Sequence, residues 1–197
     1  LAPVACRLQK EALEHNRVIL TTQADDKSLE CVSCGHTELD ARVVIVDPQT
    51  CVLCPAGSIG EVWIAGSHVA QGYWNRQTET EATFHAYLQI GEGPFLRTGD
   101  LGFLLNDALF VTGRLKDLII IQGRNHYPQD IEQTVEQCHA ALRPQCSAAF
   151  SVEVDGEERL IIVQEVLREY RDQEDLEEVC QAIRQAVAEE HDIQVYS

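Results

Sequence analysis

The chain has 197 residues, of which 45% are hydrophobic, and it carries 8 cysteines and a formal net charge of -17. That apolar content can bury one good core or two modest ones, which excludes a disordered segment. The charge argues against a nucleic-acid partner, because Lys and Arg contacts to phosphate supply most of that affinity, and no apolar run approaches the roughly 20 residues of a membrane-spanning helix.

Residues 1 to 30 are polar, with Leu8, Leu13 and Val18 to Leu20 as the only apolar anchors, and predict an irregular lead-in. Strands are expected at Arg42 to Val46 and Glu61 to Ala65, with a Pro/Gly loop between them, as a small antiparallel sheet. Thr78 and Glu81 stand at capping-box spacing and predict a short helix reaching about Tyr87, closed by a Gly-rich loop from Gly91 to Pro94. Gly102 to Leu105 and Leu109 to Thr112 flank Asn106-Asp107 and read as a tight hairpin, followed by a strand at Leu118 to Ile121. Pro128 then opens a helix whose apolar face is Ile131, Val135, Cys138 and Leu142. Ala148 to Val154 and Leu160 to Val166 form a second hairpin around Asp155-Gly156. Leu176, Val179, Cys180, Ile183 and Val187 mark another amphipathic helix, and Ile193 to Tyr196 starts one more strand. From about Lys116 onward this order describes a small α+β domain.

The acid is unevenly spread along these elements. From Ser151 onward 14 Asp and Glu face 4 Arg, whereas the window from Arg97 to Arg124 holds 4 basic and 3 acidic residues, so an anionic ligand is expected there. The sequence starts at Leu1, has no Met and shows no basic-then-apolar leader. We expect an excised portion of a longer protein, not a secretory precursor.

Cys31-Val-Ser-Cys34 and Cys51-Val-Leu-Cys54 have the spacing of two zinc knuckles, which gives a non-catalytic zinc-knuckle interaction module as one alternative function. A zinc ribbon brings both knuckles within about 4 Å of one ion. Here the spacer reads as a single strand, Arg42 to Val46, which holds the pairs at opposite ends. The favoured expectation is no metal, with reduced thiols in a cytoplasmic protein.

Three segments in succession resemble the adenylate-forming superfamily: Gly60-Glu61-Val62-Trp63-Ile64-Ala65-Gly66 running to Gly72-Tyr73-Trp74; Arg97-Thr98-Gly99-Asp100-Leu101-Gly102; and Gly113-Arg114-Leu115-Lys116-Asp117 to Gly123. The stretch from Arg124-Asn125-His126-Tyr127-Pro128 to Glu132 is similar to the fatty acyl-AMP ligase version of that superfamily, as are Ser33-Cys34-Gly35 and Val46-Asp47-Pro48. The resemblance implies an α+β fold in two parts: 1–115 as the β-rich end of a large adenylating domain, and 116–197 as a truncated, mobile C-terminal domain. It implies an ATP-dependent enzyme, assisted by magnesium, that activates a fatty acid as an acyl-adenylate and passes it to an acyl carrier protein. A fatty acyl-CoA ligase of the same superfamily is the alternative enzyme, and a degenerate ligand-binding homologue is a further possibility.

Residue chemistry gives these positions reasons of their own. One carboxylate can accept two charge-assisted hydrogen bonds from the adjacent hydroxyls of a ribose; Asp100, in an expected Gly-flanked turn, is the candidate, against the plainer use of a turn Asp to cap local backbone groups. Arg114 follows a permissive Gly and offers a planar fork to ribose or phosphate. By the resemblance Lys116 and Asp117 form the hinge, where exposure and light packing are required. Gly123, Arg124 and His126 are the candidates to line the site, Gly123 through positive φ or close backbone approach, while His126 has the alternative of satisfying a local hydrogen bond. Trp63, Tyr73 and Trp74 are expected to pack. The family's phosphate loop and catalytic Lys lie outside this window, so the 197 residues alone are expected to be inactive.

Overall fold

The computed structural model describes residues 4–24, 27–37, 40–170 and 176–197. The chain divides into two compact units, Leu1–Lys116 and Asp117–Ser197. Among the described residues no helix is long and apolar enough to cross a membrane.

The first unit is built on a six-stranded antiparallel sheet. In chain order its elements are β1 (Ala5–Gln9), α1 (Lys10–Leu13), β2 (Ser28–His36), β3 (Arg42–Val46), β4 (Gly60–Ala65), α2 (Gln77–Phe84), β5 (Leu96–Leu105) and β6 (Ala108–Arg114), with sheet order β1-β2-β6-β5-β4-β3. The expected small sheet is therefore larger than its local signals suggested, because the lead-in contributes β1. Leu8 and Leu13 of that lead-in are buried. Alternation in β3 and β4 drives Val44, Val46 and Trp63 into a cluster with Leu88 and Phe95, each such side chain contributing about 1.5–3 kcal/mol. Phe103 and Phe110, paired across the β5/β6 hairpin, stack with centroids 5.0 Å apart. That hairpin turns through Asn106 and Asp107, both at positive φ, the conformation a two-residue turn requires.

The expected capping box does not form. Helix α2 starts at Gln77, ahead of Thr78, and no side chain caps it. Its start is fixed instead by the Thr80 hydroxyl, which accepts from the Tyr73 amide at 2.9 Å, and by Arg76 donating to Glu79. Glu81 pairs with His85 one turn on, not with the helix start.

The second unit comprises β7 (Ile119–Ile121), β8 (Arg124–His126), α3 (Pro128–Cys138), β9 (Leu142–Val154), β10 (Glu157–Val166) and α4 (Leu176–His191). Pro128 occupies the first turn of α3, as its missing N–H allows. Ile131 and Val135 of α3, Leu142 and Ala149 of β9, Leu160 of β10, and Val179 and Val187 of α4 form one core with Ile193. Leu142 belongs to that core from the start of a strand, not from the end of α3. Val195 bridges Leu160 in parallel, so the strand expected at Ile193 to Tyr196 is reduced to an isolated bridge beside β10.

Candidate functional site

Asp100 and Arg114 are direct cross-strand partners on β5 and β6, with Arg114 Nε 3.5 Å from Asp100 Oδ1. Opposite charges at facing positions attract only modestly. The Asp100 side chain keeps 37% exposure and Arg114 62%, and an exposed pair of this kind is worth about 0–1 kcal/mol. Either group can therefore turn to a ligand at little cost. Asp100 lies within β5, not in the separate Gly-flanked turn its sequence suggested, yet the strand is irregular there: Gly99 has φ +74°, which a glycine adopts without Cβ strain. Its carbonyl accepts from the Leu115 amide at 2.8 Å.

Beneath this pair lies a group that sequence reasoning did not single out. The Glu61 side chain is 2% exposed. Its carboxylate accepts from Trp63 Nε1 at 2.9 Å, from Arg97 Nε at 3.0 Å and Nη2 at 2.7 Å, and from the Gly99 amide at 3.2 Å. The Arg97 guanidinium lies 5.3 Å from the Trp63 ring centroid. Thr98 donates its hydroxyl to the Val62 carbonyl at 2.7 Å and accepts from the Asp100 amide at 3.0 Å. The signal for Glu61 was a carboxylate in an otherwise apolar strand, on the same face as Trp63 by period-2 alternation.

Lys116 and Asp117 are exposed in the turn that follows β6, where the two compact units meet in sequence. Gly123, at φ +77°, and Gln122, at φ +54°, form the two-residue turn between β7 and β8; the positive φ expected of Gly123 thus serves a hairpin. Arg124 donates to Asp192 Oδ2 at 2.9 Å, and His126 is 3% exposed, paired with Ile119. Arg124 and His126 thus have packing and pairing roles inside the second unit. The structure brings Asp100 and Arg114 together in the first unit, while Gly123, Arg124 and His126 belong to the second.

The two cysteine pairs are far apart in the sheet. Cys31 and Cys34 lie on β2, and Cys51 and Cys54 follow β3; β6, β5 and β4 intervene. Four strand spacings amount to about 19 Å along the sheet, against the ~4 Å over which four thiolates share one zinc. No three metal-ligating side chains converge among the described residues. Burial pushes the Cys54 and Cys138 thiols up, the nearby Asp47 charge adding to the effect at Cys54, whereas Cys34 and Cys180 are exposed. Because the thiolate is the nucleophile, iodoacetamide at neutral pH is expected to label Cys34 and Cys180 first and Cys54 and Cys138 slowly, read by peptide mass spectrometry. Protection of all four knuckle cysteines by added zinc would contradict this geometry.

Residues 116–196 match the family model for the AMP domain of Disco-interacting protein 2-like proteins. The medium-chain-fatty-acid–[acyl-carrier-protein] ligase JamA of Moorena producens (strain JHB) is 53% identical over 193 residues, covering 96% of this chain and 33% of that protein. FadD21 of Mycobacterium tuberculosis, a putative fatty-acid–CoA ligase, is 51% identical over 129 residues, covering 63% of this chain and 22% of that protein. A solved structure from the fatty acyl-adenylate ligases of E. coli and L. pneumophila matches with a TM-score of 0.81 at 27% identity, over 98% of this chain and 33% of that one. The chain spans a third or less of the length of these relatives.

Proposed function

The chain belongs to the fatty acyl-AMP/CoA ligases of the adenylate-forming superfamily, and from that premise we propose that the protein it forms part of activates a fatty acid with ATP. A carboxylate oxygen of the fatty acid attacks the α-phosphorus, the bond to the bridging oxygen of the β-phosphate breaks, pyrophosphate leaves and acyl-AMP remains bound. A carrier-protein phosphopantetheine thiolate then attacks the acyl carbonyl; the thioester forms and AMP leaves. The observation that carries the reading is the solvent-open Asp100–Arg114 pair within the relatively basic window, beside strands that resemble the family's motifs. Asp100 accepts the two ribose hydroxyls, and Arg114 faces ribose or phosphate. Magnesium travels on the ATP phosphates, as it does where few protein carboxylates are supplied. A reducing cytoplasmic setting fits eight cysteines that form no disulfide.

Lys116 and Asp117 act as the hinge between the two units, with Asp117 the more exposed to change because a new unit starts there. FadD21's designation as a putative fatty-acid–CoA ligase favours a second reading, in which coenzyme A replaces the carrier protein. The two readings separate on the acceptor. Full-length protein, ATP and fatty acid are incubated with purified holo carrier protein or with coenzyme A, and thioester is followed by mass spectrometry. Acyl transfer to the carrier protein alone supports the first reading, and acyl-CoA formation replaces it with the second.

Carrier proteins are commonly acidic, so the acidic tail is a poor docking face and Arg114, Arg124 and Arg143 are better candidates. Arg143 is half exposed, donates to Glu165 at 2.7 Å, and borders an open depression with Arg168, Leu167 and Leu176. Arg143→Glu is expected to raise the carrier-protein KM by about 5- to 10-fold, the effect of a rim charge worth ~1 kcal/mol, and to leave pyrophosphate release unchanged. An unaltered KM would remove Arg143 from the docking face.

A further inference from the structure

The register of β4 against β5 is broken where the candidate ligand group sits. Glu61 pairs with Leu101 and Trp63 pairs with Arg97, so the single residue Val62 stands opposite three, Thr98, Gly99 and Asp100. Such a bulge removes ladder hydrogen bonds and re-aims a side chain. Buried amides left without partners are costly, and here side chains replace the lost ladder. Glu61 accepts from the Gly99 amide, and Thr98 joins the Val62 carbonyl to the Asp100 amide. Glu61 itself is held by the Arg97 fork and the Trp63 indole, so its charge is buried yet paired. On the other flank, Asp100 is paired with Arg114, just beyond a one-residue register shift between Leu101 and Gly102. The backbone of Asp100 is thus fixed on both sides while its carboxylate stays open.

We propose that Glu61 and Thr98 are positioning residues that fix the bulge so that the Asp100 carboxylate meets both ribose hydroxyls. Neither touches the ligand; each acts through Asp100. The proposal rests on the reading of Asp100 as the ribose acceptor. It predicts a selective defect: loss of Glu61 or of the Thr98 hydroxyl removes the energetic benefit of the ribose hydroxyls, not nucleotide binding in general.

The test is calorimetric titration of the full-length protein with a sulfamoyl fatty acyl-adenylate analogue and with its 2′,3′-dideoxy counterpart. The wild type is expected to prefer the hydroxylated analogue by about 10-fold or more, as charged hydrogen bonds provide. Glu61→Gln and Thr98→Val are expected to bring that preference close to one, with Thr98→Ser restoring it. Thr98→Val keeps the volume at that position, so it remains informative if Glu61→Gln does not fold. If both analogues weaken in parallel, or the preference survives in Thr98→Val while Asp100→Ala abolishes it, the positioning role is refuted and the Asp100 assignment stands. If Asp100→Ala leaves the preference intact, the ribose assignment fails, and this proposal with it.

Discussion

Replacing Asp100 with Ala is expected to weaken binding of a nonhydrolysable fatty acyl-adenylate to the full-length protein by about 10- to 150-fold, the equivalent of the ~1.5–3 kcal/mol carried by hydrogen bonds to a charged group. The folded protein should barely notice the change. Asp100 is partly exposed, and the salt bridge it forfeits, to a 62%-exposed Arg114, is of the kind that contributes about 0–1 kcal/mol. The backbone hydrogen bonds here, its own amide donating to the Thr98 hydroxyl and the Leu115 amide donating to the neighbouring Gly99 carbonyl, do not involve the lost carboxylate. Affinity and stability should therefore part: calorimetry shows the binding loss while the thermal midpoint stays close to that of the wild type. A variant that binds normally would return Asp100 to the role of a strand residue in a surface ion pair.

Replacing Asp117 with Pro is expected to separate the two half-reactions. Lys116 and Asp117 are exposed in a turn at the junction of two units, each with its own core. A hinge works by absorbing a large change in φ and ψ at a few lightly packed residues. Proline fixes φ near -65° and disfavours the α region for the residue before it, so it restricts Lys116 as well. One orientation of the units is then favoured, and the half-reaction that needs the other slows by about 100-fold, the scale on which small misplacements act. The measurement is fatty-acid-dependent pyrophosphate release set against thioester formation, on the same preparation. A proportional loss in both rates would indicate general damage and count against a hinge at this position.

The parts of this fold that were legible in the sequence are those decided by neighbours in the chain. Asn106-Asp107 and Asp155-Gly156 announce their hairpins because positive φ at both turn positions is a local requirement. Helix α3 was legible because Pro128 starts it and Ile131 and Val135 recur at helical spacing. Strand β1 was not. Ala5 to Gln9 carries weak alternation, and what makes it a strand is pairing with Glu30 and its neighbours, some 23 residues on. The capping box at Thr78 failed for a related reason, since Thr80 and Tyr73 fix the helix start through a contact that the spacing rule does not see.

The candidate site shows the same division. Asp100 and Arg114 carry chemistry in their own side chains, so residue type and local motif pointed to them; their facing positions arise from a one-residue register shift between Leu101 and Gly102, which the turn alone does not announce. Glu61 and Arg97 were harder to place because their meaning is in each other. Thirty-six residues separate them, and only the bulge opposite Val62 explains why a carboxylate belongs in the apolar strand β4. For His126 the sequence left two roles open, lining the site or satisfying a local hydrogen bond, and its burial on β8 is compatible with either. Gly123 shows how a correct backbone expectation can serve a turn as readily as a ligand.

The central claim, that this chain is part of an enzyme making fatty acyl-adenylate, is tested most directly by incubating the full-length protein with ATP, magnesium and a panel of medium- and long-chain fatty acids. Mass spectrometry then looks for acyl-AMP, and pyrophosphate is measured in parallel. The account predicts that the two products appear together, depend on the fatty acid and fall sharply in Asp100→Ala. Folded protein that yields neither product with any fatty acid would contradict it.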